Sequence, residues 1–275
     1  MQRFLAGGIL FSTLLLGASI ASAVDIIAHR GASHDAPENT VASTRLGWRQ
    51  GADGVECDIH LTKDGKIIAI HDFDTKKVTG RDRKVVDQTL AELRELDAGA
   101  WKGPQWKGEK LATLRELLDT VPPGKRLVIE IKCGPEILPE LERDLQASGK
   151  GPGQLVIISF NYDVIVDAKK RFPRIPALYL ASNKKDKQTG ELPTLDSLIA
   201  QAKAARADGL NLEQKFPIDA AFVKRVHDAG LKFYVWTVND AEVARQLVAA
   251  GVDGITTDRP EWLRGQLKAA SNDGN

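Results

Sequence analysis

Short apolar runs of strand-like composition alternate with amphipathic segments along most of this chain, and that alternation limits the fold more than any other feature. The strand-like runs cover residues 25–28, 54–61, 127–132, 155–159, 177–180, 209–212, 232–237 and 253–257. Helical patterns lie between them, as in 113–121, 220–230 and 241–251, the last of which ends at Gly251. Eight such repeats favour a parallel α/β fold, the (β/α)8 TIM barrel, over the alternative of a doubly wound open sheet.

A ninth strand-like run, residues 66–73, follows Asp64 and Gly65, a pair typical of hairpin turns. We expect it to return antiparallel beside 54–61, above the mouth of the barrel. Residues 74–112 lack the barrel's repeat and carry Trp-Lys-Gly twice. They are predicted to form a small insertion after the hairpin, packed on the face where the strands end.

The first 23 residues have the pattern of a secretory signal peptide. Arg3 precedes an apolar stretch, and the run 21–23 (Ala-Ser-Ala) fits the small-x-small cleavage rule. The alternative is a retained anchor helix, for which the apolar stretch is short. We therefore assign residues 1–23 to a signal peptide and 24–270 to one barrel domain. This predicts a secreted, periplasmic protein without stable membrane insertion after cleavage.

Charge and cysteine content narrow the partners. Lys and Arg number 38 against 37 Asp and Glu, so the charge is nearly balanced and nucleic acid is not an expected partner. A small molecule is the expected substrate, and the oligomeric state stays open. Cys57 and Cys133 are permitted to pair in an exported protein, but the sequence leaves that disulfide open. The loop 182–190 is either a solvated surface or a gate that attracts an anionic substrate.

Ionisable side chains gather at the predicted carboxyl ends of the strands, which is where barrels of this kind carry their chemistry. In chain order, these residues are His29, Arg30, Glu56, Asp58, His71, Glu130 and Lys132, with Trp236 on a later strand. Because alternate residues of a strand share a face, Glu56 and Asp58 lie together, and the apolar residues between them face the helices. The sequence therefore predicts that the carboxylates point into the barrel.

Three inward carboxylates, Glu56, Asp58 and Glu130, form an oxygen-rich set suited to one Mg²⁺ or Ca²⁺ ion. The alternative is a salt-bridge cluster with Arg30 and Lys132, which accounts for the charges but not for two nearby histidines. Arg and Lys beside a cation indicate a bound anion, most simply a phosphate.

His29 and His71 would flank that phosphate as general base and general acid. The combination indicates cleavage of a phosphodiester. Trp236 is either a core aromatic or a wall for the substrate.

In order along the chain, these motifs resemble the glycerophosphodiester phosphodiesterase family. The matching pieces are HRG at 29–31, PENT at 37–40, Glu56-Cys57-Asp58, LTKDG at 61–65 before His71-Asp72, Glu130-Ile131-Lys132, and Trp236 ahead of ITTDRP at 255–260. Each piece is weak alone, but the ordered set is specific and covers nearly the whole chain after residue 23.

The resemblance implies a TIM barrel with a small insertion and a distinct set of residue roles. Glu56, Asp58 and Glu130 would bind the metal, His29 and His71 would transfer protons, Arg30 and Lys132 would hold the phosphoryl oxygens, and Glu38 and Asn39 would support them. In the family's mechanism the glycerol 2-hydroxyl attacks phosphorus to form a cyclic phosphate, which water then opens. Substrates such as glycerophosphocholine and glycerophosphoethanolamine would give sn-glycerol 3-phosphate and an alcohol.

Two other functions stay open. One is a phospholipase C or D that acts on whole lipids, although the sequence has no clear apolar cluster for a bilayer. The other is a non-catalytic protein that binds phosphate esters, for which both histidines would be superfluous.

Overall fold

In a computed structural model that describes residues 24–186 and 189–272, the apolar runs of the sequence form the strands of a closed barrel. The strands are β1 (Asp25–Ala28), β2 (Gly54–Leu61), β3 (Ile67–Ala69), β4 (Arg126–Ile131), β5 (Leu155–Ser159), β6 (Ala177–Ala181), β7 (Gly209–Glu213), β8 (Lys232–Trp236) and β9 (Gly254–Thr257). All except β3 pair in parallel, and β1 closes the ring by pairing with both β2 and β9. This confirms the predicted (β/α)8 barrel.

Helices follow the barrel strands as the sequence pattern predicts. They are α1 (Val41–Arg49), α2 (Lys76–Thr79), α3 (Leu90–Arg94), α4 (Leu114–Asp119), α5 (Leu138–Ser148), α6 (Tyr162–Arg171), α7 (Leu195–Ala204), α8 (Ala220–Asp228), α9 (Ala241–Ala250) and α10 (Pro260–Asn272). Their starts are set by capping side chains: Thr113, for example, accepts from the amide of Glu116, whose carboxylate accepts from the amide of Thr113. Helix α9 shows how a carboxyl end is set: it stops at Gly251, which adopts φ 94°.

The two faces of the strands have different surroundings. On β2, Val55, Cys57 and Ile59 are fully buried in the large apolar layer between the barrel and its helices. The opposite face points into the barrel, whose interior is lined by an apolar cluster that includes Ile27, Val128, Val156, Ile158, Leu178 and Leu180. Glu56 and Asp58 belong to this inward face, as alternation predicts.

The hairpin after β2 is shorter than expected. A turn at Thr62–Lys66, in which Gly65 has φ 69°, reverses the chain. The returning strand β3 pairs antiparallel with β2 for only three residues, although 66–73 was predicted. The chain then enters the insertion, where α2 and α3 pack over an apolar cluster of Ile68, Ile70, Val78, Val85, Leu93, Ala98 and Leu111. The insertion therefore has a small core of its own.

Cys57 and Cys133 are both free, and they are not level across the sheet. Cys57 pairs with Ile129, whereas Cys133 lies beyond the end of β4. Among the described helices, none has the length and apolar character needed to cross a bilayer. The predicted signal peptide, residues 1–23, lies outside the described residues.

Candidate active site

The loop after β1 turns sharply so that His29 and Arg30 lie at the barrel mouth. Arg30 adopts φ 55° and Gly31 adopts φ 82°. A Cβ atom on Gly31 would lie 2.4 Å from the carbonyl carbon of Ser43, so only glycine allows this close approach to α1. The Ser43 hydroxyl and the backbone N–H of Asn39 both donate to the Arg30 carbonyl, at 3.0 Å each. These two hydrogen bonds hold the turn in this conformation.

Glu56, Asp58 and Glu130 form a buried acidic trio beneath this loop. Asp58 on β2 is level with Glu130 on β4, and each of the three residues offers an oxygen within 4.8 Å of the others. Two oxygens of the trio, Glu56 Oε1 and Asp58 Oδ1, are buried without a hydrogen-bond partner. Buried polar atoms normally make hydrogen bonds, so the environment of these two oxygens fits the coordination of a cation.

Electrostatics within the trio favour the same conclusion. Burial, reinforced by the Asp58 and Glu130 carboxylates, raises the pKa of Glu56 well above its usual value. Burial and the Asp58 charge also raise the pKa of Glu130, to about 7. The pKa of Asp58 is lowered, because Arg30 and Lys132 outweigh the effect of its burial. A hard cation held between the carboxylates would relieve this repulsion, so the residues fit one divalent cation.

Two basic residues flank the trio. The Arg30 side chain lies 3.2 Å from Asp58 and donates to Glu38 at 3.0 Å. On the other side Lys132 Nζ lies 2.7 Å from Glu130 and 3.5 Å from Asp58. An anion bound over the trio would meet positive charge on both sides.

Asn39 and Glu38 of the PENT segment contact these groups directly. Asn39 is buried and makes two hydrogen bonds with Asp58: its amide nitrogen donates to Oδ2 at 2.8 Å, and its oxygen accepts from the Asp58 backbone at 3.0 Å. Glu38 accepts from Arg30 and also from Lys77 of the insertion. Both residues therefore lie where the sequence predicted support for the site.

The two predicted histidines each place Nδ1 2.6 Å from a carboxylate. His29 contacts Asp258, and His71 contacts the adjacent Asp72. A carboxylate only accepts hydrogen bonds, so in both rings Nδ1 carries the proton and Nε2 is left for other chemistry. Burial lowers the pKa of His71, and the nearby Arg30 and Lys132 charges lower it further against the opposing effect of Asp58.

A cleft of about 540 Å³ opens beside His29 and Arg30. Its remaining walls are formed by Ser33, His34, Glu38, Lys77, Trp101, Lys102, Asn239, Asp258 and Arg259. Trp101 of the insertion is 41% exposed and lines this cleft.

Trp236 lies at the end of β8. Its indole donates to the backbone of Asn211 at 3.1 Å and stacks edge-to-face on the exposed Phe160. Phe160 in turn lies under Lys132, with Nζ 5.8 Å from the ring centre. Trp236 therefore belongs to an aromatic wall on the Lys132 side of the trio.

Sequence reasoning missed the group that holds His29. Asp258, Asn239 and Ser33 come from three separate loops and converge on one hydrogen-bonded cluster. Asp258 lies in the quoted ITTDRP motif directly after β9, so its place at a strand end was the available signal. For Ser33 and Asn239 the sequence held no comparable signal.

The fold and this geometry define a class: a (β/α)8-barrel protein with a buried acidic trio that could hold a cation, flanking basic groups and two histidines hydrogen-bonded to carboxylates at the carboxyl ends of its strands. The model of the glycerophosphoryl diester phosphodiesterase family matches residues 29–262.

Individual proteins of this kind are similar over nearly their full length. The glycerophosphodiester phosphodiesterase of Caldanaerobacter subterraneus subsp. tengcongensis is 35% identical over 243 residues, which cover 86% of this chain and 95% of that protein. The enzyme of the same name from Bacillus subtilis is 32% identical over 252 residues, or 86% of this chain and 83% of that protein.

Among solved structures, a phosphodiesterase of Oleispira antarctica in complex with the product sn-glycerol-3-phosphate matches with a TM-score of 0.80 and 31% identity. The match covers 89% of this chain and 96% of that one. This chain therefore belongs to the glycerophosphoryl diester phosphodiesterase family, and it is a phosphodiesterase of that class.

Proposed function

We propose that this protein hydrolyses glycerophosphodiesters such as glycerophosphocholine and glycerophosphoethanolamine to sn-glycerol 3-phosphate and an alcohol, with a divalent cation and two histidines. The observation that carries the proposal is the acidic trio set between Arg30 and Lys132, in which Glu56 Oε1 and Asp58 Oδ1 are buried without a hydrogen bond. A binding site for both a cation and a phosphate is what such a diester requires.

Glu56, Asp58 and Glu130 would hold the cation, either Ca²⁺ or Mg²⁺. When bound, it would supply positive charge that stabilises the phosphoryl oxygens in the transition state. Arg30 and Lys132 bind the non-bridging oxygens of the phosphate and orient the diester in the mouth. Trp236 and Phe160 form a wall for the apolar side of the substrate.

Proton transfer falls to the histidines. His29 Nε2 accepts the proton of the glycerol 2-hydroxyl as that oxygen bonds to phosphorus. His71 enters this step as the imidazolium, with a second proton on Nε2, and donates that proton to the alcohol oxygen as its bond to phosphorus breaks. The product of this step is a cyclic phosphate. Water then attacks phosphorus, giving its proton to His71, while His29 returns a proton to the 2-oxygen. Both rings end in their starting state, and the net reaction is hydrolysis.

The experiment measures sn-glycerol 3-phosphate released from glycerophosphocholine and glycerophosphoethanolamine after treatment with EDTA, and again after Ca²⁺ or Mg²⁺ is restored. We expect release only with a cation. His29→Ala and His71→Ala should each lower kcat by about 10²-fold or more. His34→Ala is the matched control, since the His34 ring lines the same cleft but is exposed and hydrogen-bonds the adjacent Asp35.

The competing functions give different results in the same assay. A non-catalytic binding protein would bind the diesters without turnover, and His29→Ala would bind them equally well. A phospholipase would release its product from phospholipid vesicles faster than from the soluble diesters. Either result would overturn the proposal.

We also propose export to the periplasm, on the basis of the signal-peptide pattern in residues 1–23. Expression of the full chain in a Gram-negative host should yield a periplasmic protein that begins at Val24. A full-length product that stays in the membrane fraction would support the anchor helix instead.

A further inference from the structure

The His29 ring is held by a carboxylate that is itself fixed by several donors. Asp258 Oδ1 lies 2.6 Å from His29 Nδ1 and accepts from the Ser33 hydroxyl at 2.9 Å. Its other oxygen, Oδ2, accepts from the Asn239 amide at 2.6 Å. By contrast, the partner of His71, Asp72, has His71 as its only side-chain partner among the described residues. The two imidazoles are therefore supported unequally.

Asn239 can hold Asp258 in only one way. Its oxygen accepts from the Asp258 backbone amide at 3.0 Å and from the Thr257 hydroxyl at 2.9 Å. A backbone amide is always a donor, so the side-chain oxygen of Asn239 must face it and its NH₂ group must face Asp258 Oδ2. The orientation of this carboxylate is thus fixed through the backbone at the end of β9.

We propose that Asp258 is a positioning residue for the reaction: together with Ser33 and Asn239 it fixes the His29 ring with the proton on Nδ1, so that Nε2 faces the bound diester as the base. The inference rests on the proposed function, because it assigns a role within that reaction. Asp258 also stabilises the imidazolium that forms when Nε2 accepts the proton.

Asp258 stays ionised in this environment. The hydrogen bonds from His29, Asn239 and Ser33, together with the His29 charge, lower the pKa of Asp258 far below its usual value, although burial opposes them. The other charged or titratable groups around the cleft are Arg30, His34, Glu38, Lys77, Lys102 and Arg259. Asp258 is the only charged group in hydrogen-bond contact with the His29 ring among the described residues.

Asp258→Asn tests the role with little change of shape. In the wild-type protein each oxygen of the Asp258 carboxylate accepts a hydrogen bond. The NH₂ group of the variant must therefore face either the NH₂ group of Asn239 or the Nδ1–H of His29. Opposite His29 it would require the other tautomer, with the proton on Nε2 and no base toward the substrate. We expect kcat to fall by about 10²–10⁴-fold while KM changes by less than about threefold.

The pH profile separates positioning from a merely structural role. Without the anionic partner, the acidic limb of kcat/KM should move to lower pH by about one unit. Asp35→Asn is the matched control, since Asp35 makes the same 2.6 Å contact to Nδ1 of the exposed His34. It should leave kcat and the pH profile unchanged. Loss of activity in Asp258→Asn with an unmoved acidic limb and a lowered Tm would overturn the proposal.

A direct measurement needs no variant and no turnover. In ¹⁵N NMR spectra of the ¹⁵N-histidine-labelled protein recorded over a pH series, the neutral form of His29 should carry its proton on Nδ1. A neutral Nε2–H tautomer would overturn the proposal, even if Asp258→Asn failed to fold. If the wild-type protein shows the Nδ1–H tautomer but cleaves no diester, the proposed function fails and the placement of the ring stands.

Discussion

Glu130 is the residue at which protons and a cation compete most directly. Burial and the Asp58 charge raise its pKa to about 7, and Lys132 limits the rise. A carboxylate must lose its proton to bind a cation, so cation binding at this site is linked to pH. The linkage extends to folding, because a raised folded-state pKa stabilises the protein fully below the unfolded pKa of Glu130, and that stabilisation is lost as the pH rises through about 7.

From pH 8 down to 5.5, the affinity for Ca²⁺ or Mg²⁺ should therefore weaken, approaching about tenfold per pH unit below 7 if one proton is displaced. Calorimetric titration at several pH values measures this slope. In parallel, the Tm of the metal-free protein should fall between pH 5 and 8, and added cation should raise it most at pH 8. Glu130→Gln removes one of the protons linked to binding and should make the slope shallower, while Glu56, whose pKa is also raised, keeps part of it. An affinity that does not depend on pH would contradict the assignment.

Asn39 holds both the side chain and the backbone of Asp58 in place. It is buried, has φ 60°, and makes two hydrogen bonds with Asp58. Asn39→Ala should weaken cation affinity by about 10–100-fold, as expected when a partner of a metal-binding carboxylate is lost. It should also lower the free energy of unfolding by about 1–3 kcal/mol. Asn161→Ala, which removes a helix-capping asparagine from α6, is the control that should reduce stability but leave cation affinity intact.

At the scale of elements, α2 of the insertion contacts the candidate active site through Lys77. Lys77 Nζ lies 2.8–2.9 Å from both carboxylate oxygens of Glu38, and Glu38 also accepts from Arg30. The insertion therefore helps to orient the Arg30 guanidinium, which we propose binds the phosphate. Because Lys77 is about half exposed, the ion pair itself adds little to stability.

Lys77→Ala should raise KM several-fold through the misplaced Arg30, with kcat and Tm nearly unchanged. Steady-state kinetics with glycerophosphocholine measure the split between KM and kcat. Its neighbour Lys76 supplies the matched control, because it pairs with Asp82 inside the insertion and both side chains are exposed. If Lys76→Ala and Lys77→Ala raise KM equally, the contact with Glu38 has no role in orienting Arg30.

At the scale of the whole molecule, the barrel was predictable because its period is written into the sequence. Strands β1, β2 and β5 begin and end where the apolar runs do, and alternation correctly placed Glu56 and Asp58 inside. The shortness of β3 was not predictable. Ile70 still donates its backbone N–H to Asp58 at 3.0 Å, but its side chain packs into the insertion's core, and Phe73 further along is exposed. Pattern alone also leaves open the contacts made by loops from distant parts of the chain, such as Asp258 with Ser33.

The polar groups that stabilise the barrel and those of the candidate active site lie at opposite ends of the barrel axis. At the amino-terminal end of the strands, the Tyr234 hydroxyl donates to Asp25 at 2.7 Å, and Asp25 also pairs with Arg126. Tyr234→Phe should lower the free energy of unfolding by about 1 kcal/mol and Tm by about 2–4 °C. Because these groups lie at the opposite end from the acidic trio, kcat/KM should stay at the wild-type value. Tyr179→Phe is the control, because the Tyr179 hydroxyl has no hydrogen-bond partner in the described part of the chain; this variant should change neither Tm nor kcat/KM. A loss of activity in Tyr234→Phe at unchanged Tm would show that the two ends of the barrel are coupled.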